Sequence, residues 1–205
     1  MTSHVQAIAV VPGTHENTIA AAAIASALAY LSGEGDAWQE WMTGGFTKSV
    51  RRIRRPIEET KVVRDSGMIR SFRVGDATAY AYAPMPYENF PPHLRGMQVS
   101  GLDRTRTGAD TAGEKHPLII LNHQLEMTTG KAAAQAAHAL VLWADALPAS
   151  DADAWAADPG VRIGAGALDL LPEAGSITIR DHGLTEIDPG SHTARILHPG
   201  TETSR

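Results

Sequence analysis

HTARILH (192–198) shows an alternation of apolar and polar residues, the period of a half-buried antiparallel strand. Two mainly apolar segments, VQAIAVV (5–11) and PLIILN (117–122), read as strands. Each is followed by a loop and an alanine-rich helix, IAAAAIASAL (19–28) and KAAAQAAHAL (131–140). A tryptophan-bearing segment and further short strands come next in both halves. Strand–helix–strand order implies a parallel pair joined by a right-handed crossover. The chain therefore reads as an α/β protein of two tandem small units. Each is expected to hold a mixed, about four-stranded sheet with flanking helices, the two docked as a pseudo-dimer.

Self-similarity supports the duplication. VVRDSGMIRSFRVGDATAYAYAP (62–84) aligns with TIRDHGLTEIDPGSHTARILHP (178–199). Arg64, Asp65 and Gly67 then fall on Arg180, Asp181 and Gly183, while Gly75, Thr78 and Pro84 fall on Gly190, Thr193 and Pro199. Ile19, Ala23 and Ser26 fall on Lys131, Gln135 and His138. The expected division is a first copy at 1–84, a linker at 85–116 and a second copy at 117–205. The linker is rich in proline, glycine and charge and has no sustained period. Within it, YENFPPHL (87–94) is apolar enough to pack on a surface.

Composition narrows the chemistry. Cysteine is absent, which excludes disulfides, thiolate zinc sites and a cysteine nucleophile. A net charge of −5 argues against a general nucleic-acid coat protein but leaves room for a local basic patch. KSVRRIRR (48–55) is that patch: either a solvated strand edge, or a nucleic-acid contact through Arg51, Arg52, Arg54 and Arg55. The start, MTSHVQAIAVVPG, has no basic region of the secretory type, and IAAAAIASALAYL (19–31) is too short to span a bilayer. A cytoplasmic protein with no membrane association is expected. The histidines lack HExxH or HxH spacing, so no metal is expected.

The second helix carries the candidate chemistry. With Lys131 in its first turn, Gln135 and His138 follow on one face. Thr128, Thr129 and Gly130 precede it and suit a cap and a tight turn. A helix tip with open amides and a lysine is an anion site. The plainer reading is a capped amphipathic helix whose lysine is solvated. Asp181 follows the strand SITI (176–179) at its carboxyl end. In open α/β sheets that place and the strand-to-helix junction share the edge where ligands bind. Thr185 and Thr193 flank the same loop, and His182 stands beside Asp181, where it can tune the carboxylate or touch substrate.

Leu125, Met127, Gly130, Lys131, Ala133, Ala134, Gln135, His138 and Ala139, followed by Asp181, Gly183, Thr185, Ile187, Pro189, Gly190 and Thr193, match a two-block pattern. Over residues 117–200 the chain resembles the type 2 peptidyl-tRNA hydrolase family. The resemblance implies an esterase that frees tRNA from peptides, with tRNA as partner and no cofactor. It implies catalytic roles for Lys131, Asp181 and Thr185, and substrate contacts around Gly130, Gln135 and Thr193, with His138 and His182 beside them. Asn122 and Gln124 stand where the family has arginine and aspartate, and Thr129 replaces a frequent second lysine. Residues 1–84 keep only Asp65 and Thr78 of the polar set, so the first copy is expected to be inactive. Its arginine run would then supply tRNA contact. A catalytically silent tRNA- or protein-binding module is the alternative, and further homo-association is left open.

Overall fold

A computed structural model describes residues 4–168, 175–180, 187–188 and 190–200. The first half runs β1 (His4–Val11), α1 (His15–Leu31), α2 (Asp36–Thr43), β2 (Thr47–Arg52), α3 (Pro56–Val63), β3 (Met68–Val74) and β4 (Ala77–Tyr82). Its strand order is β2-β1-β4-β3, with β1 and β2 parallel and the other pairs antiparallel. The region connecting β4 to β6 holds β5 (Met85–Pro86), which pairs with β1, a 3-10 turn (Tyr87–Asn89) and α4 (Pro92–Arg95). The second half runs β6 (Leu118–Asn122), α5 (Thr129–Asp145), α6 (Ala149–Ala157), β7 (Arg162–Gly166), β8 (Ile177–Arg180) and β9 (His192–Leu197). Its order, β7-β6-β9-β8, repeats the first, with the same parallel and antiparallel pairs. The molecule is thus α/β with two mixed sheets, as the patterning predicts.

Alanine has the highest helix propensity and the smallest side chain that keeps it, so α1 and α5 can lie close together. Ala20 to Ala23 in α1 and Ala133, Ala136 and Ala137 in α5 have no exposed surface. The helices run parallel. At their starts the Thr129 hydroxyl lies 2.9 Å from His15 Nδ1, and at their ends the Tyr30 hydroxyl donates to Asp145. α1 also reaches β7, and α5 reaches β2, so each helix touches the edge strand of the other half. One core cluster spans both halves through Ile19, Ile24, Leu140 and Trp143.

The tryptophans show the repeat directly. Trp41 Nε1 donates to Thr47 O at 2.8 Å and Trp155 Nε1 to Gly160 O at 2.9 Å. The strand registers put Thr47 and Gly160 at equivalent places, each two residues before the partner of Ala7 or Leu118. Both rings are buried, as packing residues should be.

The connecting region is structured where the sequence reads as linker. Phe90, Leu94 and Met97 join Ala7, Ala9, Tyr80 and Tyr82 in a second core on the outer face of the first sheet. Arg51 points into that core and is 1% exposed. It donates to Leu94 O at 2.7 Å and lies 5.0 Å from the Phe90 ring centroid. Arg51 therefore cannot serve as a tRNA contact. Strand alternation sends it to the outer face, where α4 closes over it. Arg52 is half-buried, while Arg54 and Arg55 are exposed, and Arg55 pairs with Glu58 at 2.7 Å.

Lys48, on the opposite face of β2, is buried among Trp41, Phe46 and His138. Its Nζ lies 3.7 Å from the Phe46 centroid and 3.3 Å from His138 Nδ1. Ring contacts favour the ammonium by about 0.5–2 kcal/mol, whereas desolvating an ion costs several kcal/mol. Burial wins, and the Lys48 pKa falls well below the usual lysine range. Between that lowered value and the unfolded value the unfolded chain binds more protons. Stability therefore rises with pH through this window, and the cost is fully present below it. Lys48→Met keeps an unbranched stem without the titrating group. It is expected to raise stability at neutral pH by about 1 kcal/mol or more, about 2–4 °C in melting temperature per kcal/mol. Thermal melts at neutral and alkaline pH test this: the advantage should shrink as the pH rises toward the free lysine value.

Candidate functional site

β6 is antiparallel to β9, and β9 to β8, so the carboxyl ends of β6, β7 and β8 lie on one edge. Leu121, Ala194 and Ile179 form a row across the sheet near that edge. Beyond it, Asn122 Nδ2 donates to His192 O at 2.8 Å, and Arg180 pairs with His192. α5 begins at the same edge, capped by Thr128, whose hydroxyl accepts Lys131 N–H at 3.3 Å. Lys131 is half-buried in the first turn. Lys131 and Arg180, the residue before Asp181, thus stand at one edge. Asp181, His182 and Thr185 lie outside the described residues.

Beneath the edge, Gln135 Oε1 accepts the Thr193 hydroxyl at 2.8 Å, and both residues are buried. This pair ties α5 to β9. His138 turns away from it. Three residues further along the helix is a rotation of about 60° from Gln135, enough to place its ring 4.7 Å from Phe46 of the first half. The structure therefore puts His138 in the contact between halves.

The first half offers a counterpart of the edge. Thr14 caps α1 as Thr128 caps α5, and both helices are 17 residues long. Matching the caps sets Asn17, Ala21 and Ile24 against Lys131, Gln135 and His138, two residues from the sequence alignment. Alanine runs carry no mark of register, so the alignment slipped. The RDxG match is also not a structural equivalence. Asp65 precedes β3, whereas Asp181 follows β8. The strand that matches β8 is the later part of β3, because Phe72 pairs with Ala79 as Ile179 pairs with Ala194. Asp65 instead accepts Gly67 N–H at 2.9 Å and lies 3.2 Å from His93 Nε2. Gly75, Thr78 and Gly190, Thr193 do correspond. Gly75 and Gly190 both adopt positive φ, and each stands two residues before its strand.

In the first half the β3–β4 turn delivers a carboxylate to the helix tip. Asp76 Oδ1 accepts Asn17 Nδ2–H at 2.9 Å and Thr14 N–H at 3.0 Å. These bonds hold the Asp76 carboxyl below the usual range, the Asn17 amide most of all. The turn sits so close that a Cβ on Gly13 would meet Asp76 Oδ1 at 1.9 Å. In the second half the same place before β9 is Ser191, and an 11-residue stretch (181–191) replaces the two-residue turn.

Residues 102–108 form a strap across both helix tips, which the sequence did not signal. Leu102 O accepts Gly130 N–H at 2.9 Å and Thr105 O accepts His15 N–H at 3.0 Å. Arg104 N–H donates to Thr129 Oγ1, and Arg104 Nε to Gly13 O. Glu16 is buried, which raises its pKa, but the amides of Gly108 and Thr107 outweigh this and leave the carboxyl below its usual range. The tip of α5 is therefore not an open row of amides, because the strap and the Thr128 hydroxyl already engage Gly130 and Lys131.

Among the described residues, no group of three or more histidines, aspartates or glutamates could hold a metal ion. Among them, too, no helix is long and apolar enough to cross a membrane. No family model matches the chain, and neither a curated protein nor a solved structure shows a significant match.

Proposed function

We propose that the second half hydrolyses the ester bond of peptidyl-tRNA, releasing peptide and free tRNA, as a cytoplasmic enzyme without a cofactor. The first turn of the helix carries this reading: in the first half its third residue, Asn17, meets the carboxylate of Asp76, and in the second half Lys131 holds that position, with Ser191 in place of Asp76 and Asp181 opening the longer connection after β8. A carboxylate from the turn after the third strand reaches the third residue of the helix, and the second half puts an ammonium at that helical position. Water attacks the ester carbonyl, Asp181 oriented by Thr185 accepts its proton, and Lys131 stabilises the developing oxyanion. The bond to the ribose oxygen breaks, and that oxygen takes up a proton. Gln135 and Thr193 hold α5 at the right height on the sheet. Arg54 and Arg55, exposed in the first half, remain as candidates for phosphate contact.

The alternative is a silent tRNA- or protein-binding module of the same fold. It is favoured by the strap over the α5 tip and by the withdrawal of Arg51 from the surface. Release of labelled peptide from peptidyl-tRNA separates the two: the enzyme cleaves faster than its Asp181→Asn variant, and a silent module does not.

A further inference from the structure

Between the tips of the two helices lies a cavity of about 250 Å³, walled by Leu121, Leu125, Met127 and Ile163, with His15 and Arg106 on the side of the first half. We propose that it receives the aliphatic side chain of the residue whose carboxyl is esterified, so that the enzyme prefers leucine-like over glycine-like acyl groups. This rests on the ester reading and adds a substrate preference to it.

Position supports the assignment. Asn122 lines the cavity and donates to His192 O, one residue from the Thr193 that binds Gln135. Ala132 lines it as well, next in the chain to Lys131. The cavity and the reactive edge therefore share walls. Size supports it too: drug-sized ligands occupy about 300–1,000 Å³, so this space suits one side chain and not a whole ligand.

Its charged lining groups are engaged in hydrogen bonds. Glu16 is engaged by the strap amides. Burial and the neighbouring Arg106 both lower the His15 pKa, against smaller opposing effects of Glu16 and Asp103, so at neutral pH the ring is uncharged. Arg106 Nη2 donates to Met127 O. With its charged groups hydrogen-bonded to the strap and to Met127 O, the apolar wall of Leu121, Leu125, Met127 and Ile163 favours an aliphatic group.

The test uses the full chain with N-acetyl-leucinamide and N-acetylglycinamide as probes, titrated by NMR, and in parallel N-acetyl-leucyl-tRNA and N-acetylglycyl-tRNA as substrates. The leucine probe is expected to bind about tenfold or more tighter, as burial of its side chain implies. Ala165 is exposed at the mouth on edge strand β7. Ala165→Trp should bring the leucine-to-glycine ratio near one in both assays. Leu125→Ala, which widens the space, should shift binding toward N-acetyl-tryptophanamide. Selective binding that is lost in Ala165→Trp, without any ester cleavage, upholds the cavity and overturns the ester reading. Cleavage with equal binding of both probes, or selectivity untouched by both variants, overturns the cavity.

Discussion

Asp181→Asn is expected to slow release of peptide from peptidyl-tRNA by about 100- to 10,000-fold, the range contributed by a positioned general base. Asparagine preserves size and can still orient a water by hydrogen bonding, but it cannot take the proton. The loss should therefore fall on kcat, with KM little changed, because the proposed role of Asp181 is proton transfer and not binding. Single-turnover measurements with saturating protein isolate the chemical step. An equal loss in Thr193→Val, on kcat alone, would move the reactive group to that side chain. The geometry expects the smaller effect there, since the Thr193 hydroxyl is engaged with Gln135 beneath the edge.

Arg51→Ala is expected to lower stability by about 3 kcal/mol, within the range for a lost charge-assisted hydrogen bond together with core truncation. The guanidinium is 1% exposed and donates to Leu94 O at 2.7 Å and Met97 O at 3.4 Å. It also lies 5.3 Å from the Tyr87 ring centroid. Burying the charge is costly in itself, yet removing it leaves two inward carbonyls and a void under α4. For a chain of this size the melting temperature should fall by about 6–12 °C. Arg51→Met should recover the packing but not the hydrogen bonds, and so fall between the two. Differential scanning calorimetry reads both. A loss of tRNA affinity in Arg51→Ala at unchanged stability would restore the surface role that the sequence suggested.

The architecture was legible because apolar runs and alternation are set by burial, which the sheet imposes on every residue. β1, β6 and β9 and the two helices appear where the pattern puts them. The Thr128 cap was legible as well, since its hydroxyl accepts the Lys131 N–H at the start of α5. What failed was register. Alanine side chains are alike, so nothing in α1 or α5 marks phase, and the helix alignment slipped by two residues. The RDxG match joined Asp65 to Asp181 across different connections, before one strand and after the other. Charge misled in KSVRRIRR, because strand alternation buries Arg51 and Lys48 on opposite faces while leaving Arg54 and Arg55 outside. The strap escaped notice because its contacts run from backbone to helix tips more than 20 residues away, and local composition does not encode these.

A double-mutant cycle in peptidyl-tRNA cleavage, built from Lys131→Ala and Asp181→Asn, tests the central claim most directly. If ammonium and carboxylate act on one ester at one sheet edge, each single variant is impaired and the double variant is hardly slower than the worse of them. Effects that multiply independently, or a native protein no faster than the double variant, would contradict it.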